Sequence, residues 1–297
     1  MKVAVTGAAG FTGSVLTEIL RDNNIEVYAF VRNGSAHNIR LNSQDPGIHC
    51  VEADLGNLEK VAVDRGIKCD RLFHLAWAGG SGLSEQKKNV EYTLDALKAA
   101  AVMNCKRFVA TGSQAEYGVI PATEMQKEER VPAPFTPYGA AKVAACYLSR
   151  ELSKELGIEW IWGRIFSLIG KNEPAGRMLP DLYNALKENR RFSLSSCRQN
   201  WDYLDVYDAA DALVALADRG RAGEIYNIAN GDYKPLIEYT EMLKDLVNPN
   251  GIITYGGDPN PFVSLQPMVD KIRHDTGWQA KRSFEESIKA YKNNGMD

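Results

Sequence analysis

A chain of 297 residues with 44% hydrophobic and 25% charged side chains has the make-up of a soluble globular protein, with room for one large α/β domain and a smaller lobe. A formal charge of −3 without any basic cluster argues against a nucleic-acid or anionic-membrane partner. Five widely spaced cysteines lacking a C-x-x-C pair, and four scattered histidines, speak against a disulfide framework or a bound metal and for free thiols in a reducing cytoplasm.

The chain enters a strand at once, KVAVT (2–6), so no secretory leader is expected. No run approaches the ~18 apolar residues of a membrane span. Val15, Leu16, Ile19 and Leu20 fall at helical spacing within 12–23. EVYAFV (26–31), HCVEAD (49–54), RLFHLA (71–76) and RFVAT (107–111) are further short apolar strands. A helix with Val90, Leu94, Leu97 and Ala101 on one face separates the last two, and another over 138–156 carries Leu148, Leu152 and Leu156 before the strand EWIWGRI (159–165). Near-continuous apolar strands alternating with helices predict a parallel sheet covered on both faces, and right-handed crossovers make it doubly wound. Residues 1–166 are expected to form this dinucleotide-binding domain. After Ser167 the rhythm breaks at Pro174, Gly176 and Pro180, followed by a helix over 181–189. Residues 167–204 and 230–297 are expected to form a smaller mixed C-terminal substrate-binding lobe. Residues 205–229, a helix near 208–217 and the strand GEIYNIAN, are expected to return to the large domain.

The first strand runs into Gly7-Ala-Ala-Gly10-Phe11-Thr12-Gly13 and then a helix. Glycines at this spacing let the chain turn tightly and let a diphosphate reach the free N–H groups of the helix N-terminus. The second strand ends Arg32-Asn33-Gly34-Ser35, with no carboxylate for a ribose diol. Arg32 offers a fork of donors for a 2′-phosphate, with Asn33 and Ser35 beside it. NADP(H) is therefore the expected cofactor, with NAD(H) the alternative if Arg32 merely caps an exposed strand end. Asp54 and Leu55, closing the third strand, are placed for the adenine. Leu75, Ala76 and Ala78, closing the fourth, are placed for the ribose, and His74 is expected to pack in the core.

Tyr138-Gly-Ala-Ala-Lys142 opens a helix, so phenol and amine share one face. A neighbouring cation, with NAD(P)⁺ adding positive charge, is expected to lower the phenol's pKa from about 10 towards the working range. Tyr138 can then exchange a proton with a carbonyl oxygen, Ser113 at the end of the fifth strand can hydrogen-bond that oxygen, and Lys142 can reach the nicotinamide ribose.

TGAAGFTG, HLAWAG, GSQAEYG, YGAAK, GRIFSLIG and WDYLDVYDAA together resemble the extended short-chain dehydrogenase/reductases, the NAD-dependent epimerase/dehydratase family, over essentially the whole chain. The resemblance implies a Rossmann sheet, enzymatic hydride chemistry with Ser113, Tyr138 and Lys142 as the triad, and a nucleotide-linked sugar as substrate. It implies nicotinamide packing by Ile165 and Phe166, and substrate contact by Ser167. Trp77, Ser81 and Gln114 are expected to shape the sugar pocket. Dehydratases of the family carry Thr-Asp-Glu where this chain has Ser113-Gln114-Ala115, and the related decarboxylases keep a glutamate at the position of Ala115. Gln114 and Ala115 cannot transfer protons, and Glu116 is expected to point elsewhere. Elimination and decarboxylation are thus disfavoured. A reductase of a 4-keto-6-deoxy sugar nucleotide is the expected activity. The alternatives are a nucleotide-sugar 4-epimerase, an NADPH carbonyl reductase on a non-nucleotide ketone, and a non-catalytic NADP-binding regulator.

Two arginines with which family members hold the diphosphate are absent. The chain reads Trp201-Asp202-Tyr203 and Tyr255-Gly256-Gly257-Asp258 at those places. Arg177, followed by Met178 in a stretch similar to the family's diphosphate loop, or Arg198, is expected to substitute, with Trp201 stacking on a base or sugar or packing in the lobe. The helices at 89–103 and 138–156 resemble those of the family's dimer interface, so a homodimer is expected.

Overall fold

In the computed structural model, which describes residues 1–293, the strands of the large domain are β1 (Lys2–Thr6), β2 (Glu26–Val31), β3 (Ile48–Glu52), β4 (Arg71–His74), β5 (Arg107–Ser113) and β6 (Glu159–Ile165). They alternate with α1 (Phe11–Asp22), α2 (Leu58–Asp64), α3 (Leu83–Val102) and α4 (Pro137–Leu156). Then come β7 (Ser167–Ile169), α5 (Met178–Lys187), β8 (Phe192–Leu194), β9 (Asn200–Trp201), β10 (Tyr203–Asp205), α6 (Val206–Arg219) and β11 (Glu224–Ile228). The chain closes through β12 (Lys234–Pro235), α7 (Leu236–Val247), β13 (Ile253–Tyr255), α8 (Asp270–Thr276) and α9 (Phe284–Asn293).

Seven strands form one parallel sheet in the order β11-β6-β5-β4-β1-β2-β3. The order reverses between β1 and β4, and in such a sheet the crevice beyond the strand C-termini at the switch point takes the ligand. The apolar strand runs follow from burial on both faces. Val3 and Val5 join the core under α1 and α6, while Ala4 between them joins the core under α3 and α4 with Leu97, Ala100 and Trp160. This is a doubly wound α/β fold.

β11 hydrogen-bonds β6 in this sheet, and α6 packs on α1. Around α5, α7 and α9 a separate core gathers Leu182, Leu186, Tyr203, Leu243 and Phe284, flanked by two-stranded pairings of β8 with β13 and β9 with β12. α8 leaves this lobe and packs on α6 and β11, where Ile272 and Trp278 enter the core of the large sheet. Of the lobe segment expected over 230–297, residues 294–297 lie outside the described residues. Among the described residues no helix is long and apolar enough to cross a membrane, and no cluster could hold a metal.

Candidate active site

A cavity of about 1080 Å³ lies along the C-terminal edge of the sheet, between it and the lobe. At one end is the glycine turn. Gly7 has φ +70°, and a Cβ there would stand 2.8 Å from Ala76 N; a Cβ on Gly13 would stand 2.0 Å from Gly7 O. The turn is therefore a backbone-on-backbone cradle that only glycine fills. Gly10 caps α1 without a side-chain hydrogen bond, and no acidic residue sits in the first turn. N–H groups at Phe11, Thr12 and Gly13 thus head a positive helix end on the cavity wall, which fits the diphosphate of a dinucleotide.

Arg32 and Ser35 line the wall beside this end, as do His37 and Asn38, which the sequence patterns did not single out. Asn38 Nδ2 donates to the Arg32 carbonyl at 3.0 Å, and Arg32 is exposed. Asp54 and Leu55 line the far side, and Leu75, Ala76 and Ala78 the floor. Thr6 Oγ1 lies 2.8 Å from His74 Nδ1. His74 is buried beside Phe108, and burial, with Lys142 adding, pulls it down to about 3. It is a neutral core residue.

The opposite end holds Ser113, Gln114, Tyr138, Lys142, Ile165, Phe166 and Ser167. Thr136 caps α4 through the Gly139 N–H, and Pro137 fits its first turn, so Tyr138 and Lys142 start the helix at the cavity rim. The Ser113 hydroxyl stands beside the Tyr138 phenol and accepts from Ala115 N at 3.2 Å. Lys142 Nζ donates to the Thr111 carbonyl at 2.7 Å and sits 3.6 Å from the centre of the Trp77 ring. Trp77 itself stands edge-on to Tyr138 and donates to Gln86 Oε1 at 3.0 Å.

One expectation is corrected here. Lys142 does not acidify the phenol in the protein alone. Burial pushes Tyr138 above its ordinary value and Glu116 adds to the rise, while the neighbouring Ser113 hydroxyl and the Arg177 charge oppose it. The ammonium is turned to the Thr111 carbonyl and Trp77, 5.9 Å from the centre of the Tyr138 ring. Burial also pulls Lys142 down to about 7, with Glu116 opposing. A lysine depressed on folding binds fewer protons folded than unfolded between about 7 and 10.5, so its contribution to stability rises with pH across that window and is lost below about 7. Lys142→Met should therefore gain thermal stability relative to wild type at pH 7, and the gain should shrink towards zero by pH 10. Unfolding midpoints of the two proteins at matched pH values check this.

Three residues expected in the site, Asn33, Ser81 and Arg198, do not line the cavity and are exposed. Arg198 is drawn off by Asp258, its Nε 3.1 Å from Oδ1. Arg177 and Met178 do line it, as does Trp201. The Arg177 guanidinium lies 5.4 Å from the centre of the Phe11 ring, linking the lobe to the glycine turn. The wall also holds Glu173, Tyr203 and Tyr92, which no sequence pattern marked. Glu173 is buried, accepts from the Tyr291 hydroxyl, and is raised to about 7 by burial. Glu116 does not line the cavity: it is fully buried and ion-paired with Arg164 at 2.7 Å.

Across its length the chain is 27% identical over 305 residues, 97% of itself and 93% of the relative, to a dTDP-6-deoxy-L-talose 4-dehydrogenase (NAD(P)(+)) of Kitasatospora kifunensis. It is 26% identical over 325 residues, 97% and 93%, to a dTDP-glucose 4,6-dehydratase of Neisseria gonorrhoeae. The crystal structure of a UDP-glucose 4-epimerase from Thermotoga maritima superposes with a TM-score of 0.87 at 20% identity, covering 99% of both chains. The sequence model of the NAD dependent epimerase/dehydratase family matches residues 3–229. With that match spanning the sheet, the glycine turn and the Tyr138–Lys142 helix, the chain belongs to the NAD dependent epimerase/dehydratase family and is an enzyme of the extended short-chain dehydrogenase/reductase type.

Proposed function

We propose that this enzyme reduces the keto group of a nucleotide-linked 4-keto-6-deoxy sugar at the expense of NADPH, with Ser113, Tyr138 and Lys142 as its catalytic residues. The observation that carries the reading is the turn after β5. Ser113 and the Tyr138 phenol stand together on the cavity wall, while Gln114 and Ala115, where elimination would need an acid and a base, carry none. Glu116 beside them is spent on Arg164 in the core.

A nicotinamide dinucleotide bound along the cavity supplies the hydride. The residues of this chain do the rest. Tyr138, held above the ordinary phenol value, stays protonated at neutral pH and gives its proton to the substrate oxygen as charge builds there. Ser113 donates a second hydrogen bond to the same oxygen. Lys142 is anchored on the Thr111 carbonyl over Trp77, 5.9 Å from the centre of the Tyr138 ring. Arg177 is the lobe arginine in reach of a diphosphate. The named activity of the Kitasatospora relative, a 4-dehydrogenase, supports net redox chemistry. We further place the enzyme in the cytoplasm as a homodimer through α3 and α4, where Tyr147 and Leu148 are exposed.

The NADP preference rests on Arg32, exposed on the cavity wall, with Ser35 beside it and no carboxylate from Arg32 to Ser35. Arg32→Ala should raise the KM for NADPH about tenfold or more, a loss typical of a charge-assisted hydrogen bond, with little change for NADH. Steady-state kinetics with both dinucleotides check it; equal effects remove the phosphate-clamp role.

Incubation with 4-keto-6-deoxy sugar nucleotides tests the activity itself. One NADPH should be consumed per sugar reduced. Interconversion of sugar isomers with no change in nicotinamide absorbance would assign an epimerase instead. Turnover confined to free ketones would assign a small-molecule carbonyl reductase, and dinucleotide binding without turnover a regulator.

A further inference from the structure

Directly beneath the Ser113 turn lies a charged pair that the proposed reaction does not use. Glu116 and Arg164 have 0% and 1% of their side chains exposed, with Oε2 2.7 Å from Arg164 Nε. Burying two charges is costly unless each is fully hydrogen-bonded, and here the carboxylate's remaining bonds are directed at the site. Glu116 Oε1 accepts from the backbone N–H of Ser113 at 2.9 Å and from Trp162 Nε1 at 2.9 Å. Arg164 also donates to the Glu128 carbonyl at 3.2 Å and lies 4.6 Å from the centre of the Tyr117 ring. The carboxylate is packed against the strand itself: a Cβ on Gly112 would stand 2.3 Å from Oε1 and 2.1 Å from Trp162 Nε1. Thr111 and Ser113, on either side of Gly112, carry the carbonyl that holds Lys142 and the hydroxyl that meets Tyr138.

The oxygen free of Arg164 is thus the one nearest the reaction site. Lys142 Nζ lies 6.0 Å from the centre of the Trp162 ring, so one indole separates the ammonium from the carboxylate that its N–H binds. Facing Lys142 are Thr111 O, Tyr138, the Trp77 and Trp162 rings and neutral His74. The groups that act on the Tyr138 phenol are Glu116, Arg177 and the Ser113 hydroxyl. Around the ion pair itself stand Tyr117, Glu128 and the Cys146 thiol of α4.

We propose that Glu116, balanced by Arg164, is a positioning residue that fixes the Ser113 backbone and sets the protonation of Lys142 and Tyr138 from below the cavity. This rests on the roles proposed above for those three residues. The sign is specific. Loss of the carboxylate leaves an uncompensated guanidinium and disfavours a charged Lys142 while favouring a charged phenolate, so both groups lose their protons at lower pH. Loss of the guanidinium leaves an uncompensated carboxylate and does the reverse.

The test compares wild type, Glu116→Gln and Arg164→Gln by two readouts. One is the titration of Lys142 in the substrate-free enzyme, followed by NMR of carbon-13-labelled lysine and assigned with Lys142→Met. The other is the alkaline limb of kcat/KM for ketone reduction. Glu116→Gln should move both midpoints down by about one pH unit, and Arg164→Gln should move both up. Midpoints that stay put while both variants lose activity, or that shift in the same direction, overturn the proposal. If either variant fails to fold, Trp162→Phe takes its place: it keeps a ring but strips a donor from Oε1, so the Lys142 midpoint should rise, and an unmoved midpoint overturns the proposal. The NMR readout needs no substrate. Opposite shifts in a protein that reduces no ketone would leave this electrostatic control standing and remove the reductase reading.

Discussion

Tyr138→Phe should lower kcat about 10²- to 10⁴-fold, the usual contribution of a positioned proton donor, with the dissociation constant for NADPH almost unchanged. The substitution removes one oxygen from a ring that is otherwise fixed by Trp77, which stands edge-on to it at 5.9 Å between ring centres. Phenylalanine preserves that packing, and the lost atom is the hydroxyl beside Ser113. The glycine turn and Arg32 lie at the other end of the cavity, so dinucleotide binding keeps its contacts. Initial rates at saturating keto-sugar nucleotide, with NADPH binding followed by protein fluorescence, separate the two quantities. A fall in binding as large as the fall in rate would mean that the phenol shapes the cofactor site rather than the proton path.

Gly13→Ala should destabilise the fold by about 1–3 kcal/mol or more, as overpacking against a rigid neighbour does, and should abolish tight dinucleotide binding. The new methyl would lie 2.0 Å from Gly7 O, 2.8 Å from Gly7 C and 3.1 Å from Ala8 Cα. All three are backbone atoms of the turn that must stay in place for a diphosphate, and none can rotate aside. Relief requires α1 to move away from β1, which carries its N–H groups off the anion site. Gly79→Ala is the control: Gly79 also lines the cavity, but a Cβ there meets nothing within 4 Å. Its melting temperature and NADPH affinity should match wild type. If Gly13→Ala binds NADPH as wild type does, the turn is not the diphosphate seat.

The large domain was legible because its signals are local. Val3, Ala4 and Val5 face alternately into two cores, which forces a continuous apolar run and announces a buried parallel strand. The glycine spacing needs no more than one turn of chain, and Tyr138 and Lys142 are one helical turn apart. What stayed hidden depends on partners distant in sequence. Arg198 reads as a candidate phosphate ligand from its place in the sequence, and its pairing with Asp258, sixty positions on, away from the cavity wall, is not visible there. Glu173 enters the cavity wall because α9 places Tyr291 against it, a contact that no periodicity encodes. The return of α8 to the large sheet is decided by where Ile272 and Trp278 find apolar cover. In the protein alone the missing effect of Lys142 on the phenol has a related cause. Spacing along a helix says that two side chains share a face, but not that a strand carbonyl at 2.7 Å and an indole ring will hold one of them aside.

NADPH carrying deuterium at nicotinamide C4, incubated with a 4-keto-6-deoxy sugar nucleotide, tests the central claim most directly. The wild-type enzyme should place deuterium on the reduced sugar carbon, one label per dinucleotide oxidised, and Tyr138→Phe should do so at a small fraction of that rate. Bound NADPH whose label never reaches a sugar, or a sugar converted without taking up the label, would contradict the account.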